Sequence, residues 1–332
     1  MPIETQNPEE KFIGNRNARL SAAPGETIEE HWLDLPDGRM RYLKAGSGPA
    51  LILVHGLMGY SFSWRFTIPA LAPHATVYAI DNLGAGFSTA RQGIDSTVRG
   101  TAERVLQFAD VLGIQDFDLL GTSHGGGVAI IIAAICADRG RIKPDTPRNG
   151  PRLHRLILVA PVNPWSSHGK RLAPFLGSPA GSLIFRHTVE QWRSLDHLWL
   201  RRLFGDRAKI PPDSLAGYRL PVFKNHAFRH AARIVKSWTS DLAELESALP
   251  KIRHYSTLLL WGTNDRAVDF RSAEPLRRNF RNVRLVAFQG VGHLPYEEAP
   301  EDFNRALIEF LTTPLPTQFS VPSSQKTDLT EN

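Results

Sequence analysis

The feature that most constrains this chain is an abrupt change from a strand pattern to a helix pattern around residue 123. The motif Gly-x-Ser-x-Gly lies at the change, with Ser123 at its centre and Gly121 and Gly125 on either side. Small residues allow a tight strand-turn-helix bend that pushes a serine side chain out of the turn. The helix start behind it supplies free N–H groups and a positive dipole end. The pattern predicts a serine nucleophile, with an ordinary loop as the alternative.

The composition fits one large α/β domain, with or without an insertion. The chain has 332 residues, of which 42% are hydrophobic and 22% charged, ordinary values for a globular protein. No apolar run reaches the about 20 residues of a membrane span, and the N-terminus lacks the apolar stretch of a signal peptide. Because Cys136 is the single cysteine, no internal disulfide is possible, and we expect a cytoplasmic protein. The net charge is +6, but scattered basic residues do not indicate nucleic-acid binding.

Strand and helix patterns alternate on both sides of the motif, which predicts a parallel sheet with helices on both faces. The predicted strands cover residues 31–35, 39–44, 50–54, 76–80, 116–120, 153–160, 255–260 and 283–288. The predicted helices cover residues 61–71, 96–112, 124–137, 189–204, 228–249, 271–280 and 300–311.

The alternation stops after Pro161 and resumes at Tyr255. Residues 165–250 hold 13 Lys and Arg against 7 Asp and Glu, and four of the seven tryptophans. A helical insertion that forms a lid is the simplest interpretation. We therefore divide the chain into a flexible arm (1–28), a first core part (29–161), a helical cap (162–250), a second core part (251–313) and a disordered tail (314–332).

A second glycine-containing turn follows the predicted buried strand 50–54, in the sequence His55-Gly56-Leu57-Met58-Gly59. In open α/β sheets, ligands bind at the carboxyl ends of the strands. We predict that the backbone N–H groups of Leu57 and His124 together bind an oxyanion, and such donors contribute a few kcal/mol each. A plain strand-to-helix turn is the alternative, and the His55 side chain is interpreted as structural.

Two further candidates follow later strands. Asp265 lies in Gly262-Thr263-Asn264-Asp265, and His293 lies in Gly292-His293-Leu294-Pro295. A serine hydroxyl needs a base within hydrogen-bond reach, and the base needs a carboxylate that orients it. Ser123, Asp265 and His293 would share one edge of the sheet. Asp269 remains an alternative orienting carboxylate, and a structural role for His293 remains the alternative to catalysis.

With these motifs in this order, the chain resembles the α/β-hydrolases over about residues 32–311. The resemblance is carried by His55-Gly56, the loop Asp81…Gly84-x-Gly86-x-Ser88, the serine turn, Gly262-x-x-Asp265 and Gly292-His293-x-Pro295. It implies a mostly parallel eight-stranded sheet with helices on both faces and a helical cap. It also implies that Ser123 is the nucleophile, His293 the general base and then acid, and Asp265 its orienting carboxylate.

The resemblance implies a serine hydrolase whose substrate is a small-molecule ester or related carbonyl compound, apolar or aromatic, with no metal or organic cofactor. Gly56, Trp64, Trp165 and Leu294 are predicted to line the pocket. Carbon–carbon bond hydrolases, proline iminopeptidases and acyltransferases share the same three residue types and stay open. Haloalkane dehalogenases and epoxide hydrolases use an aspartate nucleophile and are disfavoured by Ser123.

His124 is an unusual residue directly after the nucleophile. Ser-His-Gly at this turn resembles the cofactor-free ring-cleaving dioxygenases of heteroaromatic compounds, in which a His/Asp pair deprotonates the substrate. An oxygenase of that kind is a second hypothesis, and a binding protein without turnover is a third. The sequence gives no oligomeric state. Solvent exposure is the expected state of the histidines in the predicted cap, which are His168, His187, His197, His226 and His230.

Overall fold

The computed structural model describes residues 27–140, 150–166, 175, 178, 180–181, 196–222 and 225–315. Within these ranges, residues 140, 196–199, 220–222 and 225–228 are described by their backbone alone. The predicted arm (1–28) and tail (314–332) lie almost wholly outside the described residues, as do His168, His187 and the first part of the predicted helix 189–204.

A single eight-stranded sheet forms the centre of the described part of the chain, in the order β1-β2-β4-β3-β5-β6-β7-β8. The strands are β1 (Glu29–Leu35), β2 (Gly38–Ala45), β3 (Ala50–Val54), β4 (Thr76–Ile80), β5 (Asp116–Thr122), β6 (Arg152–Val159), β7 (Ser256–Gly262) and β8 (Asn282–Phe288). β2 pairs antiparallel with β1 and β4, and every other pair is parallel. The predicted mostly parallel eight-stranded sheet is confirmed.

Helices cover both faces of the sheet. The α-helices are α1 (Ile68–Leu71), α2 (Val98–Val111), α3 (His124–Gly140), α4 (Asp196–Leu203), α5 (Ser214–Val222), α6 (Asn225–Ala248), α7 (Ala273–Arg277), α8 (Pro295–Glu298) and α9 (Pro300–Thr312). Short 3₁₀ segments cover Ser61–Trp64, Arg207–Lys209, Leu249–Lys251 and Phe270–Ser272. α4, α5 and α6 belong to the chain between β6 and β7 (residues 160–255), hereafter the β6–β7 connection.

Two hydrophobic cores, one on each face, hold the sheet between its helices. Strand β3 shows the arrangement, because successive side chains of a strand point to opposite faces. Its Ile52 and Val54 belong to the core that includes α2 and α3, whereas Leu51 and Leu53 belong to the core that includes α1 and α9. Both faces of β3 are buried, which explains why its sequence is apolar throughout rather than alternating.

The ends of α2 show how the sequence sets a helix boundary. The Thr97 side chain accepts a hydrogen bond from the Gly100 N–H (3.0 Å), as an N-cap residue does, so the helix begins at Val98 rather than at residue 96. Beyond its C-terminus, Gly113 has a φ of +67°, which a glycine adopts without strain.

One helix prediction was wrong, and one helix was not predicted. Residues 61–71 form a 3₁₀ segment and the separate helix α1, because Pro69 has no N–H to continue a helical ladder from the preceding turn. Helix α5 was not predicted, since Gly217 and Pro221 lie within its nine residues and weaken the helix pattern. In the described ranges, no helix has the length and apolarity required to cross a bilayer.

Candidate active site

Ser123 lies on a sharp turn between β5 and α3. Its φ of +54° is unusual for a residue with a side chain, as expected where a tight turn presents a nucleophile. Glycine is required on both sides: a Cβ at Gly121 would lie 2.3 Å from the Gly125 carbonyl oxygen, and one at Gly125 would lie 2.3 Å from the His55 carbonyl oxygen. The turn therefore packs directly on the end of β3.

His293 and Asp265 form a buried pair. The His293 Nδ1 and Asp265 Oδ2 atoms are 2.7 Å apart. The other carboxylate oxygen, Oδ1, accepts hydrogen bonds from the N–H groups of Ala267 (2.7 Å) and Val268 (2.9 Å). Because the backbone fixes one oxygen, the other is held toward the imidazole and can orient it. Asp269, the alternative carboxylate, instead caps the 3₁₀ segment after β7 and pairs with Arg271.

The loop that carries His293 is fixed to the β6–β7 connection. The His293 N–H donates to the Leu203 carbonyl oxygen (2.7 Å). The buried Glu298 carboxylate accepts from the N–H groups of Gly292 (2.8 Å), Gly205 (2.9 Å) and Asp206 (2.7 Å). One side chain thus joins the histidine loop to the end of α4.

Ser123 and His293 line the same cavity, which has a volume of about 210 Å³. Its other described lining residues are Gly56, Leu57, Met58, Gly59, Ser63, Val162, Ser166, Leu203, Tyr218, Trp238, Ala267, Val268, Leu294 and Tyr296. Five of them belong to the β6–β7 connection. The described side chains include no hydrogen bond between Ser123 and His293. In unliganded enzymes such contacts are often long and tighten when substrate binds.

The two backbone N–H groups predicted to bind an oxyanion lie beside the serine turn. Leu57 follows Gly56, whose added Cβ would lie 3.0 Å from the Ser123 Cβ. His124 is the first residue of α3. Within the described residues, neither N–H donates a hydrogen bond to another protein group. Both are therefore available to a ligand atom near the Ser123 side chain.

Of the four predicted pocket residues, the structure brings only Gly56 and Leu294 to this cavity. Trp64 is fully buried in the core below it, with its ring 4.9 Å from that of Tyr296. Trp165 is 41% exposed and lies outside the cavity wall. The tryptophan that lines the cavity is Trp238 of α6, which no local sequence signal distinguishes from other apolar residues of that helix.

Three buried histidines lie behind the serine turn. The His55 Nε2 accepts from the Asn82 N–H (3.0 Å), which gives this ring the structural role expected of it. Burial, together with neighbouring His55, lowers the pKa of His124 to about 4. The His124 ring stacks on Trp238 at 6.4 Å, and its Nε2 is buried without a hydrogen-bond partner. His124 is not a described lining residue of the cavity.

His230 is the third of these histidines, and its expected exposure was wrong. Only 6% of the residue is exposed. Burial first, and then the nearby His124 and Arg104, lower its pKa to about 3. The side chains of His197 and His226 are outside the described structure. The ring is buried because the loop after β4, at Gly84, and the Ser96 side chain pack against this side of α6.

A buried polar network beside the cavity was missed by the sequence analysis. The Arg65 Nη1 and Glu297 Oε1 atoms are 2.9 Å apart, and both side chains are almost fully buried. Glu297 also accepts hydrogen bonds from the hydroxyls of Tyr218 and Ser214, both in α5. Burial works to lower the pKa of Arg65, but the Glu297 carboxylate outweighs it and raises that pKa. The network fixes α5 to the core.

The Tyr218 hydroxyl also lies 3.1 Å from Ser63 Oγ, and both residues line the cavity. Nothing in the sequence points to this network, since Arg65 and Glu297 are 232 residues apart.

Asp81 is a structural residue. Its buried carboxylate accepts from the N–H groups of Ser61 (2.7 Å) and Phe87 (3.0 Å) and contacts Arg41 (3.2 Å). These bonds hold the glycine-containing loop after β4, as expected of a turn-forming residue. Among the described residues, no group of three or more His, Cys, Asp or Glu is arranged to hold a metal ion.

The fold and the arrangement of these residues match one family. The model of the alpha/beta hydrolase family matches residues 51–306, well over half of the chain. The chain belongs to the alpha/beta hydrolase family, a family of hydrolases.

Its relatives carry several names. The chain is 28% identical over 290 residues to haloalkane dehalogenase 2 of Mycobacterium tuberculosis (strain H37Rv), covering 85% of this chain and 94% of the relative. It is structurally similar to the unliganded epoxide hydrolase CorEH (TM-score 0.70, 23% identity, 86% of this chain, 98% of the other). It is also similar to 2-hydroxy-6-oxo-6-phenylhexa-2,4-dienoate hydrolase (BphD) of Rhodococcus sp. strain RHA1 (TM-score 0.68, 20% identity, 87% of this chain, 100% of the other). At these identities the two structures show the fold alone.

Proposed function

We propose that this chain is a serine hydrolase that cleaves carboxylic esters of small, uncharged, apolar molecules through an acyl-enzyme intermediate. The observation that carries the proposal is the position of Ser123 at a strained turn on the same cavity as the paired His293 and Asp265. The serine side chain supports nucleophilic attack, and the relatives with an aspartate nucleophile are a poor guide to this reaction.

In the first half of the reaction, the Ser123 hydroxyl attacks the ester carbonyl carbon. His293 Nε2 takes the hydroxyl proton, while Asp265 keeps the proton on Nδ1 and stabilises the imidazolium. The developing oxyanion accepts hydrogen bonds from the N–H groups of Leu57 and His124. Removal of one such donor typically costs about 10²–10³ in kcat.

In the second half, His293 gives its proton to the leaving alcohol, and the acyl group stays on Ser123. Water then enters, and its oxygen attacks the acyl carbon while His293 removes one of its protons. His293 gives that proton to the Ser123 oxygen as the bond to the acyl group breaks, so the acid leaves and the serine hydroxyl is restored. The chemistry needs no further proton donor or acceptor.

The cavity supports a small and uncharged acyl group. Its volume of about 210 Å³ is below the about 300–1,000 Å³ of typical sites for drug-sized ligands. Its described wall contains no Lys, Arg, Asp or Glu. A carboxylate substrate would therefore lose its hydration without gaining a cationic partner, at a cost of several kcal/mol. We infer that the β6–β7 connection acts as a cap and selects short acyl chains.

The wall composition also ranks the alternatives. A carbon–carbon bond hydrolase that acts on a dienoate, the kind of substrate in the name of BphD, requires a place for a carboxylate. The oxygenase hypothesis rests on the resemblance of Ser-His-Gly alone. The buried His124 ring is not among the described residues that line this cavity and so would not contact a ligand there.

The test compares p-nitrophenyl esters with acyl chains of two to twelve carbons for the wild type, S123A and S240A. Ser240 is an exposed residue of α6 and serves as the matched serine-to-alanine control. We expect kcat/KM to be largest for chains of two to about six carbons, to fall at least about 10³-fold in S123A, and to be unchanged in S240A. Turnover of a dienoate above that of every ester would favour the carbon–carbon bond hydrolase. Oxygen uptake with a hydroxylated heteroaromatic, retained in S123A, would favour the oxygenase.

A further inference from the structure

A second cavity, of about 370 Å³, lies between the loop after β4 and the first half of α6. It shares no described lining residue with the catalytic cavity. Three of its eight described lining residues are arginines, Arg91, Arg229 and Arg233, and none is Asp or Glu. The described wall of this cavity is therefore basic.

The two arginines of α6 have no counter-charge among the described residues. Arg229 and Arg233 lie four residues apart, on the same side of the helix, where like charges destabilise each other. Neither makes a hydrogen bond or ion pair with a described residue. Arg91, at the opposite wall, is already paired with Asp37 (3.1 Å). Two positive charges are thus held together over one cavity without compensation from the part of the chain described.

The floor of this cavity is fixed by His230. Its Nδ1 is 3.1 Å from Ser96 Oγ, and a Cβ at Gly84 would lie 3.0 Å from the ring, so the loop packs closely against it. Burial is the main cause of the lowered pKa of His230, and the nearby His124, Arg104 and Arg233 lower it further. Of the acidic groups nearby, Asp37 pairs with Arg91 and Arg104, and Asp95 accepts from the Thr97 N–H, so neither pairs with Arg229 or Arg233. Positive potential therefore reaches the buried end of the cavity.

We propose that this cavity binds a small oxyanion, preferentially a dianion such as phosphate, between the guanidinium groups of Arg229 and Arg233. A guanidinium presents a planar set of N–H donors that matches phosphate and carboxylate oxygens in pairs. Two uncompensated charges favour a dianion over a single carboxylate. The anion also relieves the repulsion between the arginines. This site is separate from the cavity of the proposed ester hydrolysis and does not depend on it.

Calorimetric titration of the full chain with inorganic phosphate tests the proposal, at pH 7.5 and at an ionic strength held constant with NaCl. We expect saturable binding of one phosphate per chain with a Kd of about 1 mM or tighter. In R229Q/R233Q the Kd rises at least about tenfold, because two charge-assisted contacts are lost. The variant R229K/R233K keeps both positive charges but lacks the planar sets of donors, so its Kd should lie between those of the wild type and R229Q/R233Q.

The matched control is R253Q/R281Q. Arg253 and Arg281 are also exposed neighbours, joined through the Arg281 N–H and the Arg253 carbonyl oxygen (2.9 Å), and neither lines the cavity. This variant removes the same net charge, so its Kd for phosphate stays within about twofold of wild type. Equal weakening in both double variants would overturn the proposal, because it would show a general charge effect.

A second readout uses the wild type alone. At pH 7.5, the NMR signals of the His230 imidazole should shift saturably as phosphate is added, with the Kd found by calorimetry, and should not shift when chloride replaces phosphate. Failure of the wild type to bind phosphate saturably would overturn the proposal. Acetate binding as tight as phosphate would overturn the preference for a dianion.

Discussion

The buried Arg65–Glu297 pair gives the sharpest stability prediction. Glu297 is fully buried and its two oxygens accept from four groups: Arg65 twice (2.9 and 3.1 Å), Ser214 (2.9 Å) and Tyr218. The change E297A removes both acceptor oxygens and with them all four hydrogen bonds. It leaves Arg65 in the core with Asp213 as its remaining carboxylate partner (3.0 Å), and that carboxylate is partly exposed.

Removing one member of a buried pair typically costs about 3–5 kcal/mol, because the other charge is left without compensation. Since Arg65 keeps Asp213, we expect a loss near the lower end, about 3 kcal/mol in the free energy of unfolding. The assay is urea unfolding followed by tryptophan fluorescence and circular dichroism, with coincident transitions as the condition for a two-state analysis. Glu274 pairs with Arg277 and Arg278 on the surface, and E274A is the control, expected to show no measurable change.

The double variant R65M/E297M separates pairing from simple loss of packing. Apolar residues of similar size often replace a buried ion pair at little cost, so this variant should be more stable than E297A. The explanation would be refuted by an E297A protein as stable as E274A. It would also be refuted if the loss of stability in R65M/E297M equalled the sum of the losses caused by the two single substitutions.

Three further predictions concern titratable groups. D265N should lower kcat about 10³–10⁴-fold with little change in KM, measured by steady-state kinetics. The amide oxygen of the asparagine keeps the hydrogen bonds from the backbone, so the NH₂ group of the asparagine then faces the protonated nitrogen of His293. Burial raises the pKa of Asp241 to about 6, so D241N should raise the urea midpoint at pH 7 more than at pH 5. His124 and His230 are neutral in the fold, with lowered pKa values of about 4 and about 3, so only the unfolded chain binds protons as the pH falls below about 6.5. These two histidines do not lower the free energy of unfolding above that pH, and each should lower it by about 2 kcal/mol at pH 5. The measurement is made on D241N, because titration of Asp241 changes the stability in the opposite direction.

Local sequence was sufficient to predict the eight strands and to single out the three residues that we propose as catalytic. Strand β3 was predicted with the observed ends because an apolar run is followed directly by a glycine turn. The position of Ser123 depends on glycines only two residues away, and Asp265 is held by the backbone of Ala267 and Val268. Such features are local, so a sequence pattern contains them.

Residues that depend on packing between distant segments could not be predicted. His230 is buried because Gly84 and Ser96, more than 130 residues earlier in the chain, pack against it, and no periodicity in α6 reports which segments cover that side. Tyr218 and Glu297 are 79 residues apart in sequence and meet only in the fold. Trp64 and Trp238 are both apolar residues of helical segments, and only the docking of α6 brings Trp238 rather than Trp64 to the cavity.

The most direct test of the central claim, that Ser123 is an activated nucleophile, is labelling with a fluorophosphonate probe followed by mass spectrometry. We predict one probe per chain, on the peptide that contains Ser123, with no labelling of S123A and labelling at least about 100-fold slower in H293A. The S240A protein should label like the wild type. Labelling that persists in S123A, or a folded wild type that hydrolyses esters without being labelled, would contradict the account.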